Sequence, residues 1–324
     1  MSRPLHRLRV IFMGSPAFAL PSLRALEGAV SLVAVISRPD RPAGRGRQIA
    51  APAVARYARE RSLPLWQPKG LRSPAAVQQI AAGAPDLLVT VAYGRIIPAE
   101  VLAIPPLGAV NAHPSLLPAY RGASPIQRAI ADGQIETGVT IMFQTAALDA
   151  GDIILQRPMA IGPQETAGEL EGRLADLAAA LLLEAVGLVA EGRAPRHPQD
   201  EAAATYVGKL TKEDGRIEWA RSAGTITNLV RAMHPWPSAY THRGGRLLKI
   251  WRARPEHGLP PAEPGTVLDV SEEGILVAAA GGVLRVLEVQ PEGGRRMDAP
   301  AYARGHRVAP GERWGAPGGA GPLC

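Results

Sequence analysis

Short apolar runs alternate with amphipathic segments through the first 190 residues. Strand-like runs cover residues 8–13, 32–36, 87–92 and 138–144, and a further strand carries Asn111 and His113. Helical spacing of apolar residues marks 17–26, 74–82, 125–132 and 166–190. Strands that alternate with helices are typical of a parallel sheet covered by helices on both faces. We therefore predict an α/β domain built on a mostly parallel sheet.

The pattern changes after residue 190. Residues 191–205 lose apolar periodicity and read as a linker. A helical stretch at 222–233 then precedes strand-like runs at 239–242, 247–253, 266–270, 275–279 and 283–289, separated by glycines. Short strands at this spacing predict a small antiparallel β-barrel of the oligonucleotide-binding type. The predicted organisation is an N-terminal domain over 1–190, a linker over 191–205, a barrel domain over 206–314 and a flexible tail over 315–324.

Composition narrows the class of protein. With 324 residues and a formal net charge of +7, the chain suits two domains and a polyanionic partner. A general arginine bias would produce the same charge, so both interpretations stay open. The single cysteine, Cys324, excludes a disulfide framework and a zinc site built on several thiolates. No apolar run is long enough to span a bilayer, and we expect a cytoplasmic protein.

The opening strand, turn and helix resemble a dinucleotide-binding unit in shape. However, the turn at Gly14 lacks the second and third glycines of that fingerprint, and no P-loop lysine follows, which argues against NAD and ATP. Gly14, Tyr93 with Gly94, and residues 111–113 and 147–152 each follow a predicted strand. Ligands bind beyond the carboxyl ends of strands in open α/β sheets, so we expect these segments to meet at one cleft.

Three side chains near that cleft carry the candidate chemistry. Asn111 and His113 are two residues apart on a strand and should share a face. Asp149 lies in the loop after another predicted strand. An amide donor, an imidazole and a carboxylate suffice for acyl transfer. A lone histidine is more often structural, and Asp149 alone fits a simple turn. This cluster offers too few ligands for a metal, and we expect none.

An arginine-rich stretch follows the second predicted strand. Residues 38–47 combine four arginines with two prolines and two glycines, and contain few apolar side chains. Guanidinium groups bind phosphate bidentately, so an exposed loop beside the cleft suits a nucleic acid. The alternative is a solvated loop in an arginine-rich protein.

Several motifs together resemble the methionyl-tRNA formyltransferase family. They are Gly14-Ser-Pro-x-Phe18, Pro39-Asp-Arg-Pro-Ala-Gly-Arg-Gly46, Val91-Ala-Tyr-Gly94, Asn111-x-His-Pro-Ser-Leu-Leu-Pro118, Arg121-Gly-Ala-x-Pro-Ile-Gln127, Glu136-Thr-Gly-Val-Thr-Ile141, Leu148-Asp-x-Gly-Asp152 and Pro235-Trp-Pro237. Single motifs are weak, but the ordered set is specific and runs from about Arg9 to Trp314.

The resemblance implies a formyl-transfer domain with a doubly wound, mostly parallel, Rossmann-like α/β sheet, joined to a small C-terminal barrel of oligonucleotide-binding-like shape. It implies the co-substrate 10-formyltetrahydrofolate, initiator methionyl-tRNA as partner, and no membrane; we expect a monomer. Asn111, His113 and Asp149 take the places of the catalytic triad. The folate-contacting positions are Ser115, Leu116, Leu117 and Pro118, with Tyr93 and Gly94, and the tRNA-contacting positions are Arg41, Arg45 and Arg47.

Two other functions remain compatible with the residues. Another folate-dependent formyltransferase or hydrolase, acting on a small amine or water, would use the same Asn111, His113 and Asp149. A non-catalytic RNA-binding protein would need none of the three. In the expected reaction Asn111 donates to the developing oxyanion and His113 moves protons. Whether His113 or Asp149 takes the proton of the amine stays open at this point.

Overall fold

The computed structural model describes residues 4–43, 48–256, 258 and 262–315. The chain divides into two compact units. Within the described residues, unit 1 comprises those up to 125 together with 136–160 and 171–207. Unit 2 comprises 126–135, 161–170 and the residues from 208 onward.

The elements of the first 207 residues follow the predicted alternation and add several short ones. In chain order they are β1 (Arg9–Gly14), α1 (Leu20–Leu26), β2 (Ser31–Ile36), β3 (Arg41–Ala43), β4 (Gln48–Ala50), α2 (Ala53–Glu60), β5 (Leu65–Trp66), α3 (Pro74–Ala82), β6 (Leu87–Val91), α4 (Ala99–Leu102), β7 (Ala109–His113), β8 (Arg121–Gly122), α5 (Pro125–Ala131), β9 (Glu136–Phe143), β10 (Ile153–Ala160), α6 (Ala167–Ala190) and β11 (Tyr206–Val207).

Seven strands of unit 1 form one sheet in the order β10-β9-β7-β6-β1-β2-β5. The five strands from β7 to β5 are parallel, whereas β9 and β10 each run antiparallel to their neighbour. The chain moves outward from β1 to β5 and then returns to β6 on the other side of β1, so the strand order reverses between β1 and β6. The predicted doubly wound, mostly parallel sheet is confirmed.

One face of this sheet changes from apolar to polar along its strands. Ile11, Leu88 and Ala109 are paired neighbours on that face and belong to a buried cluster with helix α3. Two residues further along, Thr90 and Asn111 are paired on the same face. Buried apolar side chains therefore anchor the strands, and polar side chains collect toward the carboxyl ends.

Unit 2 contains an antiparallel sheet with flanking helices. Its elements after residue 207 are α7 (Ala223–Ala232), β12 (Ala239–Arg243), β13 (Arg246–Glu256), β14 (Val267–Ser271), β15 (Gly274–Ala279), β16 (Gly282–Pro291), β17 (Met297–Asp298) and α8 (Ala299–His306). The strand order is β12-β13-β16-β15-β14, with β17 beside β16. Buried side chains alternate with more exposed ones on β13, as expected for a sheet with one covered face. The barrel-like second domain is confirmed.

The segment predicted as a linker contacts unit 1. His197 forms a β-bridge with Ile153, and the Thr205 carbonyl accepts the Arg121 N–H. The predicted domain limits remain a prediction. The division into compact units differs from them, since residues 126–135 and 161–170 belong to unit 2. No helix in the described part of the chain is both long and apolar enough to cross a membrane.

Candidate active site

Asn111 is half-buried on β7, and its amide oxygen faces β6. The Thr90 hydroxyl lies 2.9 Å from Asn111 Oδ1 and 2.6 Å from the side-chain oxygen of Gln144. A hydroxyl carries one proton and donates it to one acceptor at a time. When Thr90 donates its proton to Asn111 Oδ1, the NH₂ group of Asn111 points away from β6, and Asn111 can act as a hydrogen-bond donor on that side.

His113 ends β7 and is buried, with only 4% of its surface exposed. Its Nε2 lies 2.9 Å from the carbonyl oxygen of Tyr120. A carbonyl only accepts, so Nε2 carries the proton in this contact and Nδ1 of the neutral imidazole is free to act as a base. Nδ1 lies 3.6 Å from Asp149 Oδ2. The Tyr120 carbonyl, rather than Asp149, thus determines the tautomer.

Asp149 reaches His113 from a loop that folds back over the sheet. Because β9 runs antiparallel to β7, its end lies beside the beginning of β7, where the Gln144 N–H donates to the Ala109 carbonyl. The loop then returns, and Asp149 Oδ2 accepts the Gly122 N–H at 2.9 Å. Asp149 adopts the left-handed backbone conformation, with φ +49°. Gly151 is closely packed, because a Cβ there would lie 1.7 Å from the Phe143 oxygen.

Asp149 thus reaches His113 through a returning loop and not from the carboxyl end of a parallel strand. The loops after β1, β2 and β6 do lie together at the carboxyl ends of parallel strands. The buried Ser15 hydroxyl donates to the Tyr93 carbonyl and accepts from the Arg38 N–H. Gly94, with φ +78°, lies beside the Arg38 guanidinium. Ser15 thus ties the three loops together.

Tyr93 points into the core. Its ring belongs to the buried cluster of unit 1, and burial raises the pKa of its hydroxyl. Within the described residues that hydroxyl has no hydrogen-bond partner. Tyr93 therefore contributes to the loops around Ser15 through its backbone carbonyl, which precedes Gly94.

The backbone of residues 115–118 is held by side chains from β9 and β10. Thr140 donates its hydroxyl to the Ser115 carbonyl and accepts from the Leu117 N–H. Gln156 donates to the Leu117 carbonyl at 2.9 Å, and the Leu117–Pro118 peptide is cis. Leu116 packs on Gly138, where a Cβ would lie 2.5 Å from the leucine side chain. These supports give the segment a defined shape beside His113.

Arg41 is exposed on the β3–β4 hairpin. Arg45 and Arg47 lie outside the described residues. Across the described ranges, no group of three His, Cys, Asp or Glu side chains is arranged to hold a metal ion.

Sequence reasoning missed the side chains that orient the predicted ones. Thr90 faces Asn111, while Thr140 and Gln156 hold residues 115–118. Gln199 donates to the carbonyls of Asp149 and Gly151 at 2.9 and 2.8 Å. The only available signal was alternation: Thr90 and Thr140 interrupt apolar strands on the face that carries Asn111 and His113.

Two family models match the chain. Residues 8–186 match the model described as "Formyl transferase", and residues 209–307 match "Formyl transferase, C-terminal domain". The methionyl-tRNA formyltransferase of Desulforamulus reducens is 45% identical over 97% of this chain and 100% of its own length. That of Symbiobacterium thermophilum is 48% identical over 96% of each chain.

Solved structures share the fold at low sequence identity. An N-formyltransferase from Helicobacter canadensis, in complex with folinic acid and dTDP-3-aminofucose, has a TM-score of 0.63 at 17% identity, over 86% of this chain and 98% of its own. HypX from Aquifex aeolicus, in complex with tetrahydrofolic acid, has a TM-score of 0.60 at 18% identity, over 92% of this chain and 47% of its own. With two matching domain models and near full-length relatives above 40% identity, the chain belongs to the methionyl-tRNA formyltransferase family.

Proposed function

We propose that this enzyme transfers the formyl group of 10-formyltetrahydrofolate to the α-amino group of initiator methionyl-tRNA, with Asn111, His113 and Asp149 as its catalytic residues. The observation that carries the assignment of roles is their geometry. An oriented amide donor, an imidazole of defined tautomer and a carboxylate 3.6 Å from that imidazole lie together on unit 1. Non-catalytic RNA binding requires none of these three arrangements.

The amine must lose a proton before it attacks. An α-amino group has an unperturbed pKa of about 7.7–8.0 and is largely protonated at neutral pH. His113 Nδ1 is the acceptor for a proton from the amine, because Nε2 is occupied by the Tyr120 carbonyl. The Asp149 carboxylate beside Nδ1 stabilises the imidazolium that results.

The attack forms a C–N bond to the formyl carbon and places negative charge on the formyl oxygen. The Asn111 NH₂ group donates to that oxygen, which is the role of an oxyanion-hole donor. When the intermediate collapses, the bond to N10 of the folate breaks. The imidazolium of His113 gives its proton to that leaving nitrogen, and the nitrogen of the new amide releases its remaining extra proton to solvent. Tetrahydrofolate, formylmethionyl-tRNA and one proton are the products, and the protein regains its starting protonation.

The folate donor would be held between two supported segments. Ser115, Leu116, Leu117 and Pro118 form one wall, since Thr140 and Gln156 hold their backbone. Gly94 forms the other, with Tyr93 anchoring it from the core. A Cβ at position 94 would lie 3.5 Å from the Arg38 guanidinium, so glycine keeps this part of the wall to backbone alone.

For the acceptor we assign the phosphate contacts to Arg41, Arg45 and Arg47. Arg41 supports this assignment because it is exposed and follows β2, whose carboxyl end lies near the loop of Gly94. Guanidinium groups contact phosphates without reading base identity, so this loop would strengthen tRNA binding in general.

Formyl transfer from 10-formyltetrahydrofolate to purified initiator methionyl-tRNA tests the proposal, with free methionine and uncharged tRNA as controls. Transfer to the charged tRNA alone is the expected result. Consumption of the folate donor by a small amine or water, without transfer to the tRNA, would retain the catalytic site and reject the acceptor. Binding of tRNA with no turnover of the folate would reject the enzyme.

A further inference from the structure

The segment between the two family models contains a second set of polar contacts to the site, made by residues 199–206. We propose that Gln199 and Arg121 are positioning residues for the reaction: Arg121 orients the Gln199 amide, and Gln199 holds the loop that carries Asp149. This inference rests on the proposed roles of Asp149 and His113, and concerns residues that would act through Asp149.

Gln199 bonds the Asp149 loop at two points. Its Nε2 donates to the Asp149 carbonyl at 2.9 Å and to the Gly151 carbonyl at 2.8 Å. One carbonyl belongs to the left-handed Asp149, whose carboxylate faces His113, and the other lies two residues after it. A single amide NH₂ group therefore holds the chain at and just after Asp149.

Arg121 determines which end of the Gln199 amide faces the loop. Its guanidinium is fully buried and only donates, so it requires oxygen from Gln199. Gln199 Oε1 accepts from Nε at 3.1 Å and from Nη2 at 2.8 Å. With its oxygen committed to Arg121, the amide must present its NH₂ group to the two carbonyls.

All five N–H groups of Arg121 are used within this one segment. Besides the two bonds to Gln199, Nη1 and Nη2 donate to the Glu201 carboxylate at 2.8 and 2.7 Å, and Nη1 donates to the Tyr206 hydroxyl at 3.0 Å. Glu201 also raises the pKa of Arg121 through its hydrogen bonds. A lysine at this position would have three donors on one nitrogen and could not reproduce the arrangement.

The same segment also reaches the opposite side of the imidazole. Thr205 Oγ1 accepts the Tyr120 N–H at 2.8 Å, and the Thr205 carbonyl accepts the Arg121 N–H at 2.8 Å. Tyr120 in turn holds His113 Nε2 through its carbonyl. Residues 199–206 thus support the neighbours of both imidazole nitrogens.

The Gln199→Glu variant distinguishes a positioning role of the Gln199 amide from a role in packing alone. A glutamate still accepts from Arg121, but it presents an oxygen to the Asp149 and Gly151 carbonyls and repels them. Gln199→Met, of similar length, removes both contacts. Asp200→Ala is the matched control, because the Asp200 side chain caps the next short turn through the Ala202 N–H and does not contact the loop.

We expect Gln199→Glu to lower kcat for formyl transfer about 10- to 100-fold, since a misplacement near 1 Å costs about 100-fold. The KM values for folate and tRNA should change less than about threefold, because the Gln199 amide is committed to Arg121 and to the Asp149 loop. Hydrogen exchange should accelerate at amides 145–152 and not in β7. Asp200→Ala should match the wild-type enzyme in all three measurements.

Two results would overturn the inference. One is a Gln199→Glu enzyme with wild-type kcat; the other is equal loss of kcat in Gln199→Met and Asp200→Ala. Should Gln199→Glu fail to fold, Gln199→Met against Asp200→Ala gives the same comparison. Wild-type enzyme without transfer to methionyl-tRNA would reject the proposed function instead, and the exchange rates of residues 145–152 would still decide whether Gln199 holds the loop.

Discussion

Gly122 has an unusual backbone conformation and bonds the Asp149 carboxylate, so Gly122→Ala tests whether this conformation is needed for catalysis. Gly122 has φ +119°, a conformation that other residues rarely adopt, and pairs with Val207 in the short β8–β11 sheet. A Cβ on this residue would lie 2.2 Å from the Val207 oxygen. The N–H of the same residue donates to Asp149 Oδ2 at 2.9 Å. Alanine should therefore disturb the pairing and the carboxylate together.

The size of the effect follows from these distances. The Val207 oxygen and the new methyl group must separate by about 1 Å to reach ordinary contact, and a shift of that size at a reacting group costs about 100-fold in rate. The backbone conformation adds about 1–3 kcal/mol to the cost of folding. We expect kcat for formyl transfer to fall on the order of 100-fold and the urea midpoint of unfolding to decrease.

Gly108→Ala is the matched control. Gly108 also has a positive φ, +79°, but no atom lies within 4 Å of a Cβ there. This variant should lose stability through backbone strain and keep its kcat. If Gly122→Ala kept a wild-type kcat, or if both variants lost activity equally, the link between the β8–β11 pairing and Asp149 would be refuted.

Three further predictions concern separate parts of the chain. Asn111→Ala should lower kcat by a factor on the order of 100–1000, measured in single-turnover transfer, and near-normal turnover would exclude an oxyanion role. Arg41→Ala should weaken tRNA binding and reduce the slope of log affinity against log salt by about one; an unchanged slope in a salt titration would remove Arg41 from the interface. Hydrogen bonds from Arg285 lower the pKa of the Glu256 carboxyl below 4.5. The stability from this pair, at most about 1 kcal/mol, is thus present above pH 4.5 and lost as the pH falls through the lowered pKa. Unfolding midpoints should show a smaller loss on acidification in Glu256→Gln, and identical acid sensitivity would contradict the assignment.

The strands with continuous apolar runs were predictable because their burial on both faces leaves a strong pattern. β1, β6, β7 and β9 lie where the sequence predicts them. The two-residue β5 is too short to form a pattern, and the half-exposed β10 mixes polar and apolar side chains. Chain direction was also not predictable: apolar content does not reveal that β9 reverses.

The candidate site, too, has residues whose placement could be predicted from the sequence and residues whose placement could not. Asn111 and His113 share a face because of strand alternation, which sequence spacing reveals. The contact of Asp149 depends on a loop that turns back over the sheet and on Gln199, 50 residues away along the chain. Long-range hydrogen bonds of this kind leave no periodic signal, so Gln199 read as part of a structureless linker.

The contacts of the buried Arg121 determine where the halves of two related enzymes can be joined. The two family models end at residue 186 and resume at residue 209, which suggests a joint in between for exchanging C-terminal halves among relatives. A joint near Ala190 would give Arg121 partners from a foreign sequence at positions 199, 201 and 206. A joint after Val207 keeps Arg121 with its native partners, so the natural unit of exchange begins beyond β11.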